Sequence, residues 1–192
     1  KYQFRENQSF TFGYGMHDEI QPLPTYYNYD ISGTGNKQPT NLKMDFTRSQ
    51  HFVVGYDLIF LKDFHLKAEA YFQYIHNVPV EQFKSSFSML NAGADFSTPN
   101  NINLINKGVG RNYGLELTAE KYFSKGYYFL VTCSFFQSQY QGSDHVWRNT
   151  AFNGHYVANV LGGYQYLFGG KKNKTKRHTL AIDFKMTAAG GR

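Results

Sequence analysis

The sequence predicts an all-β protein: an antiparallel meander of about seven long strands, part of a transmembrane β-barrel. Three observations carry that expectation. Candidate strands are separated by connections that alternate between long and very short. Within the strands, apolar and polar residues alternate with period two. The strands run to about 9 to 14 residues, where about 5 or 6 is usual in soluble sheets and about 9 to 11 are needed to cross a bilayer at a tilt.

The candidate strands are Ser9–His17, Gln50–Leu61, His65–His76, Tyr113–Phe123, Tyr127–Tyr140, Tyr156–Phe168 and Thr179–Ala188. A long connection from Asp18 to Ser49 follows the first, and a tight turn at Lys62-Asp63-Phe64 follows the second. Another long connection, Asn77–Asn112, precedes a second tight turn at Ser124-Lys125-Gly126. A medium connection, Gln141–His155, then gives way to a basic turn, Gly169–His178. Antiparallel neighbours place successive connections on opposite edges, so the long loops share one edge and the tight turns the other. Outer-membrane barrels have this layout, with long loops outside the cell and short turns in the periplasm.

Alternation assigns the faces. In His65–His76, Leu66, Ala68, Ala70, Phe72 and Tyr74 oppose Lys67, Glu69, Tyr71 and Gln73. Leu115, Leu117 and Ala119 oppose Gly114, Glu116, Thr118 and Glu120. Leu180, Ile182, Phe184 and Met186 oppose Thr179, Asp183 and Lys185, and Phe52, Val54, Tyr56, Leu58 and Phe60 form a further apolar row. One face is dry and the other carries full charges, as a hydrated lumen allows. A soluble sandwich would show the same alternation, with core and solvent in place of lipid and lumen. Aromatic residues beside the tight turns favour the membrane: Phe60 and Phe64, Tyr122 and Phe123, Tyr127 and Tyr128, Tyr166 and Phe168. Girdles of such rings mark the interfaces of membrane barrels.

Composition agrees. Aromatic residues make up 18% of the chain, against a hydrophobic fraction of 41%, and no stretch is long and apolar enough for a transmembrane helix. That aromatic content argues against disorder. Much of the formal charge of +6 comes from Lys171, Lys172, Lys174, Lys176 and Arg177. Nucleic acid could be attracted by such a cluster, but a solvated turn between strands explains it better, and no nucleic-acid partner is expected. The single Cys133 excludes an internal disulfide and falls among apolar residues, where a small hydrophobe suffices. The opening Lys1-Tyr2-Gln3-Phe4-Arg5 is not a signal peptide, so the sequence is expected to be a mature chain or a fragment.

Catalytic patterns are missing from the sequence. The seven histidines show no metal-ligand spacing, and no metal or other cofactor is expected. Gly108, Gly110 and Gly114 miss the dinucleotide spacing and lead into a strand. Gly170-Lys171 lacks the earlier glycine of a phosphate-binding loop, since Gln165 stands there. Glu116 and Glu120 share a strand face and could mimic a glycosidase pair, but charged residues lining a lumen are the simpler reading. Nor is there a Gly-x-Ser-x-Gly elbow. An enzyme is therefore not expected.

The segment from Asn106 to Thr118, Asn-Lys-Gly-Val-Gly-Arg-Asn-Tyr-Gly-Leu-Glu-Leu-Thr, resembles a loop-to-strand segment in the barrels of TonB-dependent outer-membrane receptors. Trp147-Arg148-Asn149-Thr150-Ala151-Phe152-Asn153-Gly154-His155-Tyr156, with Asn159-Val160-Leu161-Gly162-Gly163, is similar to a loop re-entry of such receptors, especially those of Bacteroidetes type. The resemblance covers essentially residues 1–192. It implies an internal piece from the C-terminal half of a receptor barrel, lacking the plug domain, the TonB box and the C-terminal strand, with Gly190-Gly191-Arg192 entering the next loop. It also implies an outer-membrane location in a Gram-negative cell. The implied partners are outer-membrane lipid, the receptor's own plug and remaining strands, and a TonB complex acting through regions outside this chain. The implied activity is TonB-coupled import of a scarce nutrient, an iron chelate or a glycan.

Candidate ligand contacts then fall on the long-loop edge. Tyr26, Tyr27 and Tyr29 offer phenol faces for stacking on sugar rings or catechols, and Trp147 an indole. His145 and Arg148 suit anionic groups. The competing reading for all six is loop packing and interfacial anchoring. A soluble β-rich ligand-binding module, such as one for carbohydrate, is the alternative function, and dependence of the fold on detergent separates the two.

Overall fold

The computed structural model describes residues 1–29, 38–92, 99–168 and 178–191. They form one sheet of nine strands: β1 (Tyr2–Arg5), β2 (Gln8–Glu19), β3 (Thr47–Phe60), β4 (Phe64–Glu81), β5 (Leu104–Ser124), β6 (Tyr127–Gln141), β7 (Trp147–Asn149), β8 (Tyr156–Phe168) and β9 (His178–Ala189). Every pairing is antiparallel and the order follows the chain, with β7 lying off the path against β6. Helix is confined to α1 (Leu23–Tyr26) and a 3-10 turn at Met89–Asn91 among the described residues. All seven expected strands are present.

The two others were not foreseen. β1 folds back on β2 through Glu6-Asn7, and Asn7 ties that turn to β3 by exchanging hydrogen bonds with Ile59. β7 is a short strand inside the third long connection. A further difference is the length of β4 and β5, which continue pairing to Glu81 and Leu104 through register shifts beside Asn77, at φ 57°, and Pro79. Asn-Val-Pro-Val reads as a strand end, because proline cannot donate to a ladder, but the bulge absorbs it. Beyond it Val78, Val80 and Leu104 are almost fully buried, so the packed core lies under the long loops.

The turns fix the register. The first tight turn is Leu61-Lys62-Asp63, one residue earlier than expected, because Phe60 pairs with Phe64. The second is a two-residue hairpin, with Lys125 at φ 53° and Gly126 at φ 86°. Positive φ at both central positions gives the turn whose twist matches the flanking strands, and glycine adopts it without strain. The basic run Lys171–Arg177 lies outside the described residues.

Cross-strand partners confirm the expected faces. Phe12, Val54, Ala70, Leu115, Phe135 and Tyr156 form one continuous row across β2 to β8. Leu58, Leu66, Ala119, Val131, Val160 and Met186 form another, from β3 to β9. Lys67 pairs with Thr118 on the opposite face, Glu69 with Glu116, and His65 with Glu120. No second layer of the described residues covers the apolar face: Phe12 is 66% exposed, Ile182 62% and Phe184 57%.

Candidate ligand-binding site on the polar face and the long-loop edge

Register stacks the polar face into transverse rows. His51, Gln73, Asn112 and Ser138 form one row across β3 to β6. The next row toward the tight turns is Val53, Tyr71, Gly114 and Phe136, and the one after is Gly55, Glu69, Glu116 and Ser134. The first row, Val53, Tyr71 and Phe136 of the second and the carboxylates of the third, with Gln137 and Phe152, line a concavity of about 470 Å³. Tyr71 of the second row packs closely against its glycine partner. A Cβ on Gly114 would stand 2.8 Å from the Tyr71 hydroxyl and 2.6 Å from the Phe135 carbonyl oxygen, so the phenol passes directly over the Gly114 backbone. The edge of the His51 imidazole meets the same ring, at 6.0 Å between centroids and 80° between planes.

The polar groups around the ring are directional. Asn112 donates through Nδ2 to Gln73 Oε1 at 2.8 Å, and Gln73 donates through Nε2 to Ser49 Oγ at 2.7 Å. Glu69 engages Lys67 Nζ through Oε2 at 2.6 Å. Glu116 is exposed, and no ion pair engages it among the described residues. Nearer the tight turns, His65 sits between Asp57, at 3.1 Å, and Glu120, at 3.7 Å. Among the described residues no group of three or more His, Cys, Asp and Glu is placed to hold a metal ion.

The loop residues expected to meet ligand are held in a cross-braced layer. Asn28 donates to the carbonyls of Pro99 and Asn101, and the buried Asn41 side chain bonds Thr25, Asn101 and Leu104, joining the first long loop to the second. Ser143 donates to the Phe83 carbonyl and accepts from the Ser85 amide, joining the second to the third. Within this layer Tyr26 closes α1 and its hydroxyl accepts from the Gln21 amide at 3.4 Å. Tyr27 is exposed, and Tyr29 pairs with Pro39 in an isolated bridge.

In the third loop, His145 is exposed at a positive φ of 59°. Trp147 and Arg148 point to opposite faces. Trp147 pairs with Gln141, on the apolar side of β6, and its ring lies under the Arg111 guanidinium at 4.1 Å. Gln139 accepts from both Arg111 Nε, at 2.9 Å, and Nη2, at 2.7 Å, fixing that guanidinium. Arg148 pairs with Tyr140 on the lumen side and forks onto Asp144 at 2.9 and 2.6 Å. The Arg148 bond lowers the Asp144 pKa to about 2. Trp147 and Arg148 are thus held by other side chains of the protein, Arg111 and Asp144. Alternation in the sequence places Glu116, Tyr71 and Gln73 on the polar face but does not bring them together with His51 and Asn112, because that juxtaposition depends on cross-strand register.

The fold is similar to that of the FrpB iron transporter from Neisseria meningitidis (F3-3 variant), with a TM-score of 0.50 and 14% identity over 96% of this chain. The chain spans 30% of that protein's length. No family model matches the chain, and neither does any curated protein.

Proposed function

We propose that residues 1–192 are a segment of an outer-membrane β-barrel transporter of the TonB-dependent receptor type, which binds a scarce nutrient, an iron chelate or a glycan, and imports it. The carrying observation is the uncovered apolar face. Rows of Phe, Leu, Val and Ile run from β2 to β9 with nothing of the described protein over them, whereas soluble proteins rarely expose apolar patches beyond a few hundred Å². Lipid is the solvent that accepts such a face while the other stays charged. A soluble module of the same sequence would need a second sheet over Phe12, Ile182 and Phe184.

In this reading the long-loop edge faces outward, and ligand first meets Tyr26, Tyr27, Tyr29, His145, Trp147 and Arg148. The outer edges of β1 and β9, unpaired among the described residues, join the remaining strands of the barrel. A plug domain fills the lumen, and a TonB complex engaging regions outside this chain supplies the energy. The TonB coupling and the Bacteroidetes-type assignment rest on the sequence resemblance. Membrane fractionation tests the proposal: the full-length protein should sediment with outer membranes, resist salt and carbonate extraction, and need detergent for its β-sheet circular dichroism. Recovery as a folded, detergent-free monomer would refute it.

A further inference from the structure

We infer that the concavity on the polar face is a subsite for an uncharged, hydroxyl-rich sugar ring, with Tyr71 as its stacking platform. The inference rests on the transporter reading, which makes this face the wall of the transport path. The phenol lies over Gly114 on one side and is met by the His51 imidazole. One apolar surface of a pyranose fits such a ring face, and its rim of hydroxyls then meets the flanking rows. Those rows carry acceptors beside the ring. Asn112 gives one of its two amide hydrogens to Gln73 and keeps its carbonyl oxygen as an acceptor, and Glu116 and the second oxygen of Glu69 can only accept.

The charge balance selects further. Lys67 offsets Glu69, so Glu116 leaves the concavity with a net negative charge. An anionic chelate or a uronic acid would bring its carboxylates against Glu116 with no guanidinium of the described residues facing it: the lumen-side Arg148 is forked onto Asp144, and Arg111 lies on the other face. A neutral sugar offers donors to the carboxylate and the amide oxygen and incurs no such repulsion.

Titrations of full-length protein in lipid nanodiscs test this, using maltotriose and cellotriose as neutral probes, trigalacturonate as the anionic one and ferric citrate as the chelate. At least one neutral trisaccharide should bind. Its affinity should fall at least tenfold in Tyr71→Ala and in Glu116→Gln, the latter keeping the shape of the wall. Trigalacturonate should bind at least tenfold more weakly than the neutral sugar and regain affinity in Glu116→Gln. Absence of binding by both neutral sugars, tighter binding of trigalacturonate or ferric citrate to the unmodified protein, or indifference of sugar binding to both variants would each overturn the inference. These outcomes leave the transporter reading standing, since that one fails only if the protein leaves the membrane fraction.

Discussion

Leu117 and Thr118 are adjacent in β5 and face opposite ways, so arginine at each position separates lipid from lumen at one depth. Leu117 lies between Ala68 and Cys133 on the apolar face; Thr118 lies between Lys67 and Thr132 on the polar one. Leu117 is 40% exposed, so little protein would be displaced by a longer side chain. Taking Tyr122 of the aromatic girdle as the inner interface, five residues of strand at about 3.3 Å each reach about 16 Å. At a tilt of about 40° that is about 13 Å of height, the middle of an apolar band about 25 Å tall. Leu117→Arg should therefore destabilise the protein by about 2–4 kcal/mol in a bilayer. Thr118→Arg meets the hydrated lumen and should cost below about 1 kcal/mol, mainly from the facing Lys67. Guanidinium unfolding of full-length protein in lipid vesicles, followed by circular dichroism, reads both. Equal costs would refute the lipid-facing assignment, and a larger cost at Thr118 would reverse the faces.

Two further outcomes follow from the turn and the third loop. Lys121 lies on the apolar face between Phe64 and Phe129, yet it is only 3% exposed, and its ammonium donates to the carbonyls of Tyr122, Ser124 and Tyr127 and to Ser124 Oγ, over the Tyr127 ring at 3.8 Å. Lys121→Met strips those carbonyls of a donor and should cost about 1–3 kcal/mol in the same unfolding assay; a neutral effect would show that the carbonyls need no such partner. The lowered pKa of Asp144 means that its bond to Arg148 holds the third loop fully above the ordinary carboxylate pKa of 3.8 and is lost as pH falls toward about 2. Trp147, the sole tryptophan, reports on this loop: its fluorescence should be constant from neutral pH to about 4 and change in a step centred at about 2, and Asp144→Asn should remove that step. A step retained in Asp144→Asn assigns the titration elsewhere.

The meander and its faces were legible because both are local. Period-two alternation in residues such as Leu66 to Tyr74 fixes which way each side chain points without reference to any other strand. Tight turns at Leu61–Asp63 and Lys125-Gly126 then fix which strands are neighbours. Legibility failed where local chemistry and ladder disagree. Asn77 and Pro79 announce a strand end, but Val78 and Val80 gain enough by burial under the loops to keep β4 paired to Glu81. β1 and β7 are short, and the sequence places no alternation in them long enough to count.

The concavity was illegible for a different reason. His51, Tyr71, Asn112 and Glu116 come from three strands, and only register brings them together. A shift of one residue between β4 and β5 would send Asn112 to the apolar face relative to Gln73 and replace the Tyr71–Gly114 pair with a side chain that the ring cannot cross. The three-residue turn pairing Phe60 with Phe64 sets β3 against β4, and the β4–β5 ladder holds without a break from Phe64–Lys121 to Ile75–Gly110. Gly114 is then as much a site residue as Tyr71, though it carries no functional group. Its missing side chain lets the phenol settle onto the backbone and opens the wall between a row of amides and a row of carboxylates. A binding surface of this kind is written in the offsets between strands, so it can be read only once those offsets are known.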